Sequence, residues 1–112
     1  MRLEAKKYLY DIKQAADKIA TFTAGRTFAE YVASDLLRAA VERQFEIVGE
    51  ALSQLAREDV QLASQISGYP RIIAFRNILI HGYADIDDRI VWDIIETKLP
   101  SLSREVTILL GA

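Results

Sequence analysis

The 112-residue sequence contains no cysteine, one histidine, two prolines and five glycines. The absence of cysteine excludes disulfide bonds and thiolate-ligated zinc, and it fits a reducing compartment. The few prolines and glycines are scattered, so we find no flexible linker, low-complexity segment or internal repeat. No apolar run approaches the ~20 residues of a membrane span, and the charged N-terminus has no apolar segment of signal-peptide length. We therefore expect a soluble cytoplasmic protein.

The sequence also has little net charge. The formal net charge is −2 and the pI is about 5.4, so any contact with nucleic acid requires a local basic patch. Hydrophobic residues make up 51% of the chain and charged residues 27%. These proportions are typical of a globular protein. The length predicts one domain that spans residues 1–112.

Apolar residues recur at spacings of three and four, which is the helical period, and no segment alternates with the period of a strand. Thr27 followed by Glu30 predicts a capping box, and Gly82 predicts a helix end with a positive φ. We expect the second helix to be kinked near Ser34. The fold prediction is an all-α antiparallel bundle of about five helices. The predicted helices cover residues 3–22, 28–57, 60–66, 70–81, 87–98 and a last segment from Pro100.

Several possible sites find little support. A di-metal bundle requires Glu-x-x-His pairs, and the single histidine has no carboxylate three residues before it. Glu46 and Glu50 are four residues apart, and we interpret them as a solvated or salt-bridged face with Arg43. Gly49 lies inside a predicted helix, where glycine costs about 1 kcal/mol relative to alanine. It marks either a close helix crossing or a tolerated helix glycine.

The segment RNILIHGY, residues 76–83, combines Arg76, Asn77, His81 and Tyr83 at the end of an apolar helix. Histidine transfers protons near neutral pH, and arginine binds phosphate and stabilises developing charge. Asparagine can orient either group. Arg76 is long enough to reach a phosphate shared with His81, and Tyr83 can fold back beside it. This chemistry suits RNA cleavage without a metal ion.

A structural explanation of the same residues stays open. A histidine at a helix C-terminus is favoured by the helix dipole, and a glycine after it is ordinary capping. Cleavage by the 2′-hydroxyl also works best with a base and an acid on opposite sides of the phosphate. One chain has a single histidine, so a twofold dimer that brings two motifs together would supply both groups.

The residues Arg76, His81 and Tyr83 match the R-x-x-x-x-H-x-Y signature of the HepT toxins, a branch of the HEPN superfamily, which this sequence resembles. Asn77 matches a polar residue that often follows the arginine. The segments LLRAAVERQFEIVGEAL (36–52), GYPRIIAFRNILIHGYADID (68–87) and VWDIIETKLP (91–100) are also similar to that family, so the resemblance extends over most of the chain.

The resemblance implies a specific function. HepT toxins are helical dimers that cleave RNA without metal, so Arg76, His81 and Asn77 would be the catalytic residues and no cofactor is expected. Their partner in type VII toxin–antitoxin systems is an MntA-type nucleotidyltransferase antitoxin, which silences the toxin by transferring AMP to the motif tyrosine, here Tyr83. Some HEPN domains are instead non-catalytic modules that bind a nucleotide or a nucleotidyltransferase partner. That is the alternative function.

Overall fold

A computed structural model describes residues 1–82 and 84–111, and these residues form seven α-helices and no β-strand. The all-α prediction is therefore confirmed. The helix boundaries lie within a few residues of the predicted ones. In chain order, the helices are α1 (Leu3–Thr23), α2 (Phe28–Ala33), α3 (Asp35–Glu58), α4 (Val60–Ala63), α5 (Tyr69–His81), α6 (Asp88–Thr97) and α7 (Leu99–Leu109).

The start of α2 is the predicted capping box. The backbone N–H of Glu30 donates to the Thr27 hydroxyl at 3.1 Å, and the N–H of Thr27 donates to the Glu30 carboxylate at 2.9 Å. The hydrogen bond from the Thr27 backbone lowers the pKa of Glu30, because it stabilises the charged form. The local pattern of Thr27 and Glu30 is therefore sufficient to define this helix end.

The predicted helix over residues 28–57 is divided into α2 and α3 at Ser34. This residue has extended backbone angles, φ −113° and ψ 104°, and its side chain accepts a hydrogen bond from Leu37 N at 3.0 Å. A serine in this conformation caps a new helix rather than continuing the old one. The break, predicted as a kink, raises the number of helices above five.

The long helix α3 lies at the centre of the bundle and packs against both α1 and α5. The helix α7 packs against α1 and α6, so the last helix lies beside the first. The Phe45 ring of α3 meets the Phe75 ring of α5 edge to face, with ring centroids 5.4 Å apart. Such aromatic pairs contribute about 1 kcal/mol beyond the area they bury, and this one fixes α5 against α3.

A second aromatic contact, between Tyr31 and Trp92, joins α2 to α6 with ring centroids 5.4 Å apart. Tyr31 is fully buried, and its hydroxyl has no hydrogen-bond partner among the described residues. Burial raises the pKa of this phenol, since the phenolate would lose its hydration. None of the described helices combines the length and apolar character needed to cross a membrane.

Candidate active site

The candidate site is built around the crossing of α3 and α5, where Gly49 faces Arg76. A Cβ atom added to Gly49 would lie 2.1 Å from Arg76 Cβ and 2.5 Å from Arg76 Cγ. Carbon atoms in contact normally lie 3.5–4.0 Å apart, so any other residue at position 49 would push the two helices apart. Of the two interpretations of Gly49, the close helix crossing is the correct one.

Two side chains hold the Arg76 guanidinium after it leaves this crossing. Arg76 Nη2 donates to a carboxylate oxygen of Glu50 at 2.6 Å, and Nη1 donates to Asn77 Oδ1 at 3.0 Å. The Arg76 side chain is 25% exposed, and its Nε is buried without a hydrogen-bond partner among the described residues. The structure thus brings Arg76 and Asn77 together and orients the guanidinium plane.

Glu50 is the site residue that sequence reasoning missed. The interpretation of Glu46 and Glu50 as one face paired with Arg43 is half correct. Arg43 does bond to Glu46 at 3.3 Å, but Glu50 crosses to α5 and pairs with Arg76. The sequence offered one signal, because Glu50 adjoins Gly49 and its side chain is long enough to reach a helix that crosses at the glycine.

His81 is the last residue of α5, and its side chain is exposed. It lies five residues after Arg76, which places it about 140° around the helix axis and about 7.5 Å along it. Arg76 turns towards α3 while His81 faces solvent, so the two are not brought together by hydrogen bonds among the described residues. Asn77 and His81, four residues apart, are both exposed on α5.

The predicted positive φ at Gly82 is wrong. Gly82 has φ −110° and ψ 31°, and its N–H donates to Ile78 O at 2.7 Å, so the helical hydrogen-bond pattern extends to it. A Cβ atom at Gly82 would lie 3.0 Å from Ile78 O. Glycine is therefore favoured here because a side chain would crowd the Ile78 carbonyl oxygen. The left-handed conformation that glycine allows is not used. Tyr83 lies outside the described residues.

A groove of about 220 Å³ runs beside Arg76, between α1, α3 and α5. Asp11, Glu46 and Glu50 contribute three carboxylates to its lining, whereas Arg43 and Arg76 contribute two cations. This excess of negative charge disfavours the backbone of a nucleic acid. Within residues 1–82 and 84–111, no three His, Asp or Glu side chains are grouped as a metal site.

Comparison with known proteins identifies the family. A family model described as "Ribonuclease HepT-like" matches residues 12–109, a range that contains the whole α3–α5 crossing and the motif. The chain belongs to the HepT-like family. Its helical bundle is accordingly a HEPN-like fold, and the resemblance noted in the sequence is confirmed at this level.

Two curated relatives of the HepT-like chain illustrate the match. One is a protein of Methanocaldococcus jannaschii named "Putative RNase", 33% identical over 105 residues, which are 94% of this chain and 95% of the relative. The other, from Thermococcus cleftensis, is named "Probable ribonuclease HepT". It is 31% identical over 102 residues, which are 91% of this chain and 92% of the relative. No solved structure matches the chain significantly.

Proposed function

We propose that this HepT-like chain is a metal-independent endoribonuclease, the toxin of a type VII HepT/MntA toxin–antitoxin system in the cytoplasm. One domain, residues 1–112, would carry the activity. The observation that supports this most strongly is the arrangement on α5. Arg76 is held by Gly49, Glu50 and Asn77, while the histidine of the same motif remains exposed to a substrate. The names of the two relatives, a putative RNase and a probable ribonuclease HepT, support the ribonuclease part of this proposal.

In the proposed reaction, the 2′-oxygen of a ribose attacks the adjacent phosphorus. The O2′–P bond forms while the P–O5′ bond breaks, which gives a 2′,3′-cyclic phosphate and a free 5′-hydroxyl. His81 accepts the proton of the 2′-hydroxyl or supplies one to the leaving 5′-oxygen. Arg76 stabilises the negative charge that develops on the phosphoryl oxygens. Asn77 holds the guanidinium through its side-chain oxygen.

Glu50 would be a positioning residue in this reaction. A guanidinium has five N–H donors in a rigid plane, and the Glu50 and Asn77 contacts each use one Nη atom. Because Nε is buried, the second N–H of each Nη atom is the donor that stays available for phosphate. A fixed arginine loses little conformational freedom when the substrate binds, which lowers the barrier.

We also propose that the active unit is a twofold dimer. One chain has one histidine, and no hydrogen bond among the described residues joins it to Arg76. Ile78, three residues before His81 and on the same face of α5, is 56% exposed. A twofold axis near this face of α5 would bring two copies of the motif together and bury Ile78.

Control would act through Tyr83, two residues beyond His81 in the sequence. An MntA-type nucleotidyltransferase would transfer AMP from ATP to the tyrosine oxygen. The new O–P bond replaces the bond between the α- and β-phosphates, pyrophosphate leaves, and the phenol proton is released. The added phosphate would pair with Arg76 and repel RNA.

Site variants test the catalytic proposal. His81→Ala and Arg76→Ala should each lower the rate of RNA cleavage by about 100-fold or more, since general acid–base catalysis and charge stabilisation contribute on that order. The helical circular dichroism should not change. Arg104→Ala, an exposed arginine on α7, is the matched control and should keep the wild-type rate. Full activity in the His81 variant would refute the proposed role.

A mixing experiment tests the dimer. If each site takes residues from both chains, mixing the inactive Arg76→Ala and His81→Ala variants should restore part of the activity. Hybrid dimers would then contain one complete set of groups. Sedimentation should show a dimer at the assay concentration. An active monomer would rule the composite site out.

Mass spectrometry tests the proposed regulation by AMP transfer to Tyr83. After incubation with ATP, magnesium and a cognate nucleotidyltransferase, AMP should be found on Tyr83 and the loss of activity should follow its occupancy. Tyr83→Phe should resist silencing. Modification confined to Tyr8, Tyr10, Tyr31 or Tyr69, or a Tyr83→Phe variant silenced like the wild type, would contradict this mechanism.

The second candidate function is a non-catalytic HEPN module that binds a nucleotide or a nucleotidyltransferase. One observation favours it, because the Glu50 carboxylate partly neutralises the charge of Arg76. A wild-type protein that binds the nucleotidyltransferase in sedimentation but does not cleave RNA would support this function instead.

A further inference from the structure

A second cavity, of about 160 Å³, lies between α3, α5, α6 and α7. From α5 it uses Arg71, Ile72 and Phe75, and none of Arg76, Asn77 or His81 lines it, so it is separate from the candidate active site. Its inner walls consist of hydrocarbon side chains, which are Phe45, Ile72, Phe75, Ile94, Leu99 and Leu102. The interior therefore offers no partner for a polar group.

The exposed edge of this cavity is positively charged. Two of its solvent-facing lining residues are Arg71 and Lys98, and neither forms an ion pair with any described residue. Lys98 Nζ lies 3.7 Å from the position of a Cβ atom at Gly68, and Gly68 is the N-cap of α5. An ammonium group beside the positive end of a helix is electrostatically unfavourable.

Lys98 is both the C-cap of α6 and the N-cap of α7. The negative end of one helix and the positive end of the next therefore largely offset each other at this residue. A carboxylate occurs near the start of α5, where Glu105 accepts hydrogen bonds from Ser67, at 2.6 Å from the hydroxyl and 3.2 Å from the backbone N–H. Because both donors are neutral, Glu105 keeps its charge and offsets this helix start. The positive charge of the cavity edge therefore comes from the side chains of Arg71 and Lys98.

We propose that this cavity binds a small aromatic carboxylate, with the ring inside and the carboxylate between Arg71 and Lys98. The size fits, since a dry cavity of about 150 Å³ lined by Leu, Ile and Phe takes up benzene. The charge fits as well, because a carboxylate at the edge would pair with Arg71 and Lys98, which form no ion pair with any described residue. A nucleobase fits poorly, since its polar edges would be buried without hydrogen bonds.

Titration with phenylacetate and its neutral analogue phenylacetamide tests the proposal. Binding is followed by NMR on the methyl groups of Ile72, Ile94, Leu99 and Leu102, which report on the cavity walls in the unmodified protein. These methyl groups should shift with both compounds. Phenylacetate should bind about fivefold more tightly at low salt, the preference expected of two exposed ion pairs. The preference should shrink as the salt concentration rises.

Two variants separate the charge from the cavity. The double variant Arg71→Gln, Lys98→Gln should lose the preference for the acid and still bind both compounds. Ile94→Phe should fill the cavity and abolish binding of both. Lys6→Gln, which removes an exposed lysine on α1, is the control for the double variant and should leave both affinities unchanged.

Three results would overturn the proposal. One is the absence of shifts in the wall methyl groups at millimolar phenylacetate. Another is equal affinity for the acid and the amide in the wild-type protein. The third is a response of these methyl groups only to an apolar peptide with acidic residues, which would make the cavity a contact for a protein partner. Because no arm measures RNA cleavage, these results do not depend on the proposed ribonuclease activity.

Discussion

Replacing Gly49 by alanine should damage catalysis far more than stability. The added methyl group would lie 2.1 Å from Arg76 Cβ, so α3 and α5 must separate by roughly 1.5 Å to restore a normal carbon contact. Such overpacking typically costs about 1–3 kcal/mol. Alanine regains about 1 kcal/mol of helix propensity over glycine. The net loss in the free energy of unfolding should therefore be about 0–2 kcal/mol.

The effect on activity follows from the shift of Arg76. A misplacement of about 1 Å in a group that positions substrate can lower the rate by about 100-fold. The assay compares RNA cleavage rates with urea unfolding curves for Gly49→Ala and for Ile12→Val. The second is a buried change on α1, outside the two crossing helices, that costs about 1 kcal/mol. The control should stay active. If Gly49→Ala keeps more than half of the wild-type rate, the crossing does not position the catalytic arginine.

Further predictions concern single side chains. Tyr31→Phe should raise the free energy of unfolding by about 1 kcal/mol, because it removes a buried hydroxyl that has no partner among the described residues; Tyr10→Phe, at an exposed position, should change it little. Burial raises the pKa of Glu42, so its ionisation weakens the folded state as pH rises above about 4.5, the usual value. Glu42→Gln should therefore stabilise the protein at pH 7 and lose this advantage near pH 4, and equal effects at both values would contradict it. Glu50→Ala should lower the cleavage rate about tenfold through the freed Arg76, whereas Glu50→Gln, which keeps a hydrogen-bond acceptor, should lose less. The free energies of unfolding of both Glu50 variants should lie within about 1 kcal/mol of the wild-type value.

Features that depend on neighbouring residues could be predicted from the sequence. The predicted capping box of Thr27 and Glu30 is confirmed by both of its hydrogen bonds. It was predictable because both partners lie within one helical turn. The break at Ser34 was recognisable for the same reason, although only as a kink. Whether a serine bends a helix or starts a new one depends on where α2 packs, and α2 packs against α6.

Contacts between distant helices could be foreseen only in outline. The mid-helix position of Gly49 suggested a crossing, but nothing local indicated that α5 crosses there or that Arg76 is the residue opposite. The ion pair between Glu50 and Arg76 joins residues that are 26 positions apart. It depends on the rotation of both helices about their axes, which the whole core determines. The prediction at Gly82 failed because a close carbonyl oxygen and a left-handed turn both favour glycine.

The central claim is that the arginine and histidine of α5 cleave RNA without metal, and the chemistry of the product ends tests it most directly. Purified protein is incubated with a defined RNA in excess EDTA, and the fragments are analysed by mass spectrometry. Cleavage should be undiminished and leave 2′,3′-cyclic phosphates and 5′-hydroxyls, and His81→Ala should form these fragments about 100-fold more slowly or not at all. Loss of activity in EDTA, or fragments with 5′-phosphates, would contradict it.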